Sequence, residues 1–168
     1  MIYHPRPYAR NEIASVPQKP VELHFKTSQG SQLAFLLPPK SGGLKELKKI
    51  WVMFAGNASL ALDWSDLIGR AANPDDAFLL IDYPGFGGCE GSASPASIEE
   101  NAEKALLETG LKLGLDHNAL EQKLNAVGHS IGCGAALDFS VHHPVHEIIL
   151  ISPFTSLRDM ARRTVGFP

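Results

Sequence analysis

The segment from Leu124 to Ala136 constrains the fold more than any other part of the chain. Three of its first four residues are apolar and predict a strand, and small residues follow a Gly-x-Ser-x-Gly pentapeptide where a helix would begin. Such a passage through Gly128, Ser130 and Gly132 is typical of a nucleophile elbow, a turn that holds its serine in a strained backbone conformation. The alternative is a glycine-rich turn without chemistry, because the pentapeptide alone is a weak signal.

The residues around Ser130 suit a reactive hydroxyl. Gly128 and Gly132 lack the Cβ atoms that would clash on either side of the turn. The amide of Ile131, at the start of the predicted helix, would point at an oxyanion formed on the serine. His129 lies inside the elbow, where we expect its ring to pack or to bond backbone, with a role as base as the alternative. Ser130 is therefore the predicted nucleophile and Ile131 one oxyanion donor.

Composition and charge narrow the class of protein. The chain has 168 residues, of which 44% are hydrophobic and 20% charged, and these values predict one soluble globular domain. A formal net charge of -3 provides no basic surface for nucleic acid. Cys89 and Cys133 are far apart, which argues against a disulfide framework and favours a reducing compartment. Because no apolar segment is long enough for a signal peptide or a membrane span, we expect a cytoplasmic protein, and an anchor upstream of Met1 stays an open alternative.

Apolar runs predict about six strands. Residues 1–20 are rich in proline and polar groups and predict an extended arm, whereas residues 21–37 predict an antiparallel hairpin. The later runs 50–55, 77–81 and 148–151 are continuously apolar, as strands covered by helices on both faces must be, and the run 124–127 is apolar except for Asn125. The predicted domain therefore spans 21–168. Its fold class is α/β, with a mostly parallel sheet and an N-terminal antiparallel hairpin.

Helices are predicted in the connections between these runs. Apolar residues recur at helical spacing from Leu60 to Ala71. A second helix is predicted to start at Ser97, which forms a capping-box pattern with Glu100. A third follows the elbow, and a last one starts at Thr155 or Ser156. The order strand, helix, strand predicts parallel crossovers, so the ends of these strands should meet at one edge of the sheet.

Two loops at that edge carry candidate residues. The first begins with Gly56 and Asn57, and we expect the backbone amide of Asn57 to be the second oxyanion donor and its side chain to order the loop. A simple turn is the alternative there. The second contains Asp82 and several glycines, but it lacks the glycine spacing of a dinucleotide fingerprint and the lysine of a P-loop. We expect Asp82 to bond local backbone amides rather than act as a base.

These segments together resemble an α/β-hydrolase, of the branch that includes serine aminopeptidase-like and small esterase or thioesterase proteins. The resemblance covers nearly the whole chain from Val21, through the stretches 128–132, 56–58, 82–87 and 152–156. The sequence departs from the family pattern in two places. Ala55-Gly56 stands where the family often has His-Gly, and Pro84 and Cys89 stand where it commonly has an arginine and a serine. The resemblance implies a three-layer sandwich and a triad whose aspartate and histidine follow the serine on later strands. Because the sequence stops soon after the sixth strand, it implies that the last strands and these two residues lie beyond the segment.

Other polar residues are weaker candidates. Asp159 follows the sixth strand, but in the first turn of a helix it is better interpreted as a carboxylate at the helix dipole than as a triad acid. The spacing of His142, His143 and His146 hints at a metal, but we expect no carboxylate or cysteine nearby to complete a shell. The prediction is therefore a site without metal or cofactor.

The sequence predicts a serine hydrolase that acts on a small ester, thioester or amide through an acyl-serine intermediate, with Ser130, Ile131 and Asn57 in the roles given above. Gly56, Gly128, His129, Gly132 and Asp82 are its predicted supports. By itself this chain is expected to be inactive, because it supplies no identifiable base. The alternatives are a non-catalytic module that binds a partner and a nucleotide-binding protein stabilised by nucleotides. We also expect an unpaired apolar edge at residues 148–151, which would promote self-association.

Overall fold

The computed structural model describes residues 3–16, 18–40, 47–154 and 156. Within them the chain forms one six-stranded sheet with the order β1-β2-β4-β3-β5-β6. The hairpin β1-β2 is antiparallel and β2 pairs antiparallel with β4, whereas β3 to β6 run parallel. These observations confirm the predicted fold class. The strands are β1 Val21–Thr27, β2 Gly30–Leu37, β3 Ile50–Phe54, β4 Ala77–Ile81, β5 Leu124–His129 and β6 Ile148–Ile151.

Helices connect the parallel strands. They are α1 Ser65–Ala71, α2 Pro95–Leu113, α3 His117–Glu121 and α4 Gly132–His142, with 3₁₀ turns at Ile13–Ser15 and Ala61–Trp64. The short α3 was not among the predicted helices, and the helix predicted from Thr155 or Ser156 falls outside the described residues. None of the helices in the described ranges has the length and apolar character needed to cross a bilayer.

The sheet separates two hydrophobic cores, which makes the domain a three-layer sandwich. Val52, Leu79 and Ala126 pack with residues of α2 and α4 on one face. Met53 and Leu80 pack on the other face, with Trp64 and with Ile68 of α1. Because successive side chains of a strand point to opposite faces, a continuously apolar strand supplies both cores. The apolar runs of the sequence are explained by this double burial.

Helix α2 begins at Pro95, two residues before the predicted start at Ser97. Its N-cap is Ser94, whose side chain accepts a hydrogen bond from the Ser97 amide, and Pro95 occupies the first helical position. The Ser97 hydroxyl in turn accepts a hydrogen bond from the Ser94 amide and so completes the capping box itself. Glu100 instead accepts from the Ser28 amide in the β-hairpin turn. The capping box predicted for Ser97 and Glu100 is therefore wrong, because Glu100 has a tertiary partner.

Strand β6 lies at an edge of the sheet. It pairs with β5 on one side, and no strand of the described residues pairs with it on the other. Ile148 and Ile149 are 38% and 47% exposed. The predicted apolar edge is thus present within this part of the chain. Self-association through it stays a prediction, which sedimentation of the chain and of an Ile149→Lys variant would check.

Candidate active site

Ser130 lies in the turn between β5 and α4, at the carboxyl edge of the parallel strands. Its φ is +52°, in the left-handed region that side chains other than glycine rarely adopt. The turn is held by hydrogen bonds from the Ser130 amide to the carbonyl of Ile151 (2.9 Å) and from the Cys133 amide to the carbonyl of Ser130 (3.0 Å). Ser130 is half-buried. A strained serine therefore follows a buried strand and stays within reach of solvent.

The two glycines of the pentapeptide are required by close backbone packing. A Cβ on Gly128 would lie 2.6 Å from Cys133 Cα, and a Cβ on Gly132 would lie 2.6 Å from the carbonyl oxygen of Ala55. Both separations are shorter than real Cβ atoms show, and the opposing atoms are backbone. Helix α4 can therefore start directly against β3 and the loop after it. This contact brings Ile131, the first residue after Ser130, beside the end of β3.

His129 packs against the neighbouring loop. A Cβ on Gly56 would lie 2.6 Å from His129 Nδ1, so the imidazole occupies the space that the glycine leaves. The ring also makes an edge contact with Trp64, with centroids 6.4 Å apart. In the described residues no hydrogen bond joins His129 to Ser130. This geometry favours the predicted packing role over the alternative in which His129 is a base.

The Gly56–Ser59 loop turns tightly beside the elbow. The Ser59 amide donates to the Gly56 carbonyl at 3.2 Å, and Ala58 has a φ of +61°. Asn57 Oδ1 accepts from the Ala58 amide at 3.1 Å and from the His4 amide at 2.8 Å. The Asn57 side chain therefore orders the loop, as expected. The Ala58 amide is engaged within the loop, and the role of the Asn57 amide as the second oxyanion donor stays a prediction.

The N-terminal arm forms hydrogen bonds with this loop and with the loop that follows β4. Arg6 Nε donates to the Ala58 carbonyl at 3.2 Å, and the same guanidinium bonds Glu12 and Asp63. The Gly87 amide donates to the Arg6 carbonyl at 2.9 Å. The arm thus connects both loops at this edge. Sequence reasoning placed it on the surface and missed these contacts, because most of the partners lie far along the chain.

Asp82 is buried beneath the same edge and is fully engaged. Its Oδ1 accepts from the Ala61 amide at 2.7 Å, and its Oδ2 accepts from the Tyr8 hydroxyl at 2.6 Å. Burial raises the pKa of Asp82 from 3.8 to about 6, although both hydrogen bonds oppose that change. Asp82 bonds a backbone amide, as expected, but the amide is not local: it belongs to the turn that precedes α1. The carboxylate joins three segments of the chain.

The glycine loop, residues 82–91, is filled by protein atoms. A Cβ on Gly87 would lie 2.7 Å from Tyr8 Cε2, and one on Gly91 would lie 2.6 Å from Gln29 Cβ. Gly85, Gly87 and Gly91 all have positive φ, and the Gly85 amide donates to the Glu90 carbonyl. These glycines are explained by a loop that folds back on itself and on its neighbours. No phosphate is needed to account for them.

The described histidines that follow the elbow are not placed to activate Ser130. His142 lies at the far end of α4, about 15 Å along the helix axis from its start. His143 is buried, and its Nε2 lies 2.7 Å from Glu103 Oε1. His146 follows the end of the same helix. Asp159 falls outside the described residues.

The expectation that His142 has no carboxylate nearby is wrong. Glu99 of α2 and Asp138 of α4 offer oxygens within 4.8 Å of a His142 ring nitrogen and of each other, and Glu99 Oε1 is 3.3 Å from His142 Nε2. Asp138 and His142 are one helical turn apart, so they share a face of α4. That spacing was visible in the sequence. Glu99 comes from another helix and could be added only once the packing of α2 on α4 was known.

Comparisons with solved structures identify the architecture. No family model matches the chain, and a search of curated proteins found no match. An α/β-hydrolase from Vibrio vulnificus superposes with a TM-score of 0.68 at 16% identity over 86% of this chain. The chain has the α/β-hydrolase fold. A proline iminopeptidase-related protein from Thermus thermophilus gives 0.62 at 13% identity over 86%, and a thermostable carboxyl esterase from Bacillus coagulans gives 0.61 at 15% over 78%.

The α/β-hydrolase fold seen here corresponds to part of each solved structure. The chain covers 49% of the Vibrio protein, 48% of the Thermus protein and 43% of the Bacillus esterase. It therefore spans about half their length. At these identities the comparisons establish the fold alone, because one fold can carry many different chemistries.

Proposed function

We propose that Ser130 is the nucleophile of a hydrolase that cleaves a small ester, thioester or amide through an acyl-serine intermediate. The observation that supports it best is the backbone of Ser130, held at φ +52° between two glycines whose positions leave no room for a Cβ. Such strain persists only where the surrounding packing enforces it, and it is frequent at sites of chemistry. Glycine would adopt that φ without strain, but it would not supply a hydroxyl.

In the proposed reaction, Ser130 Oγ attacks the carbonyl carbon of the substrate and the carbonyl oxygen becomes an oxyanion. The Ile131 amide at the start of α4 and the Asn57 amide would donate to that oxygen. Collapse of the intermediate expels the alcohol, thiol or amine and leaves an ester on the serine, which water then hydrolyses. The serine proton needs a base, and we assign that role to a histidine paired with an aspartate, both supplied outside the described residues.

A non-catalytic module is the second candidate. It is favoured by one observation: within the described residues, no imidazole or carboxylate makes a hydrogen bond to Ser130 Oγ. A serine hydroxyl without such a partner is a poor nucleophile at neutral pH. In that case the strained turn would be a structural remnant, and the domain would act by binding a partner.

A fluorophosphonate probe separates the two candidates. We expect the chain to be labelled slowly at Ser130, and Ser130→Ala to abolish that labelling. Ser140→Ala is the matched control, because Ser140 lies on α4 and its hydroxyl bonds the Leu137 carbonyl. Peptide mass spectrometry identifies the labelled residue. Labelling that is absent, or that persists in Ser130→Ala, would rule out the proposed nucleophile and favour the module.

A further inference from the structure

A cavity of about 300 Å³ lies between α2 and α4, on the face of the sheet opposite α1. Ile98 and Ala102 of α2 form one wall, and Ala135 of α4 contributes to the other. Ile131, the neighbour of Ser130, also lines it. The volume is at the lower end of the range for pockets that hold small molecules. The cavity therefore starts beside the elbow and follows the groove between two helices.

The lining is rich in aromatic rings. Two of them are fixed by contacts of their own: the Tyr83 hydroxyl donates to the Ala55 carbonyl at 2.7 Å, and Phe139 stacks on His143 at 4.2 Å between centroids. Aromatic faces attract cations through the ring quadrupole, and clustered rings are a known way to hold quaternary ammonium groups. The aromatic residues of the lining are Tyr3, Phe54, Tyr83, Phe139 and Phe154.

Carboxylates line the same cavity. Glu99, Glu103 and Asp138 all contribute to it, and two imidazoles pair with them: His142 Nε2 is 3.3 Å from Glu99, and His143 Nε2 is 2.7 Å from Glu103. Two imidazoles can offset at most two of the three carboxylates, so the group carries a net negative charge. Among the described residues that line the cavity there is no lysine or arginine.

We propose that this cavity binds a small organic ammonium compound with an apolar or aromatic body. The body lies among the aromatic side chains, and the charged nitrogen faces Glu99 and Asp138. The negative charge of this lining would repel an anion, and it would not attract a neutral ligand. The inference goes beyond the proposed hydrolase function and does not require Ser130 to be a nucleophile.

The first test compares ligands that differ in charge but not in shape. Isothermal titration of the 168-residue chain uses choline, its neutral isostere 3,3-dimethylbutan-1-ol, and benzyltrimethylammonium. We expect benzyltrimethylammonium to bind most tightly, because its ring buries more apolar surface, and the neutral alcohol to bind about tenfold more weakly than choline. Equal binding of choline and the alcohol, or no binding of either ammonium ligand, would overturn the proposal.

The second test removes the charge without changing the shape of the cavity. Glu99→Gln combined with Asp138→Asn should weaken benzyltrimethylammonium binding about tenfold and leave the weak binding of the alcohol unchanged. Asp66→Asn is the control, because Asp66 is an exposed helical carboxylate on α1, on the other side of the sheet. Circular dichroism checks that each variant is folded. Unchanged ammonium affinity in the double variant would contradict the proposal.

Two further measurements examine the place and the kind of ligand. Ala135→Leu should fill the cavity and abolish binding of benzyltrimethylammonium, and retained binding would show that the ligand sits elsewhere. Titration with Zn²⁺ tests whether Glu99, Asp138 and His142 form a metal site, since carboxylate oxygens and imidazole nitrogens are common zinc ligands. Binding of Zn²⁺ in the absence of any ammonium binding would overturn the proposal in favour of a metal.

Discussion

The loops that follow β4 and β5 are both rich in glycine, but glycine serves opposite purposes in them. After β5, Gly128 and Gly132 allow backbone segments to approach each other, so that Ser130 is left strained and half-buried at the edge. After β4, Gly87 and Gly91 allow side chains from distant segments to fill the loop, and Asp82 is buried with both of its oxygens engaged. Glycine-rich sequence after a strand therefore does not by itself mark a reactive group. The atoms that pack against the glycines determine whether the loop leaves a side chain accessible for reaction.

The largest expected effect comes from breaking the elbow. Gly132→Ala would press a Cβ against the backbone oxygen of Ala55, which cannot move without shifting β3. We expect the free energy of unfolding to fall by about 4 kcal/mol, high for a single substitution. Urea denaturation followed by circular dichroism measures it. Gly134→Ala is the control, because nothing lies within 4 Å of its Cβ position and alanine favours helix by about 1 kcal/mol. Equal stabilities of the two variants would contradict the packing argument.

The pH dependence of stability should reveal the buried acid of the other loop. Folded Asp82 keeps its proton up to a pKa of about 6, whereas the unfolded chain loses it near 3.8. The folded state therefore binds more protons between these values, and this group lowers the free energy of unfolding as the pH rises through them, by about 3 kcal/mol in all. Asp82→Asn removes the effect.

Urea denaturation of the chain and of Asp82→Asn at pH 4 and pH 7 measures this difference. We expect the stability of the native chain relative to the variant to be greater at pH 4. The exposed Asp66→Asn provides the reference for carboxylates without burial. A relative stability that is flat with pH would show that Asp82 titrates normally.

A third prediction separates backbone strain from packing in the glycine loop. Gly87→Ala would combine a φ of +57° with contact against Tyr8 and Asp82, and we expect it to cost about 2 kcal/mol. Gly114→Ala has a similar φ of +64° but nothing within 4 Å, so it should cost about 1 kcal/mol. Urea denaturation gives both values. If the two substitutions cost the same, side chains do not fill the glycine loop tightly.

The smallest expected effect concerns the loop beside the elbow. Asn57→Ala removes the acceptor of the Ala58 and His4 amides, which we expect to cost about 1 kcal/mol and to slow fluorophosphonate labelling of Ser130 roughly tenfold. Asn57→Asp keeps an acceptor and should restore the stability. Labelling that is unaffected by Asn57→Ala would argue against this loop as part of the oxyanion site.

Much of the fold could be predicted because buried strands and helices require apolar residues at regular spacings in the sequence. The continuously apolar strands and the hairpin were predicted correctly, and so was the sheet in which they lie. The start of α2 was predicted wrongly because Ser94 and Ser97 both suit an N-cap. Pro95 was the local signal that favours Ser94, and the contact of Glu100 with Ser28 was invisible before folding.

The candidate site also has features that could be predicted from the sequence and features that could not. The glycines around Ser130 are local and could be interpreted from the pentapeptide, since the chain must turn sharply there. The contacts of Tyr8 with Asp82 and of Glu99 with His142 join residues that are distant in the sequence. No spacing in the sequence encodes such pairs, because the sheet order and the packing of α2 on α4 create them.

The sequence by itself determined the strand-turn-helix unit that carries Ser130 and the alternation of buried strands and helices, because local sterics and burial act on neighbouring residues. Only the tertiary structure decided that Asp82 is an internal link and that a cavity lined by aromatic rings and carboxylates opens beside the elbow. Those features depend on which side chains meet across the sheet and between helices. Such meetings follow from the packing of the whole domain.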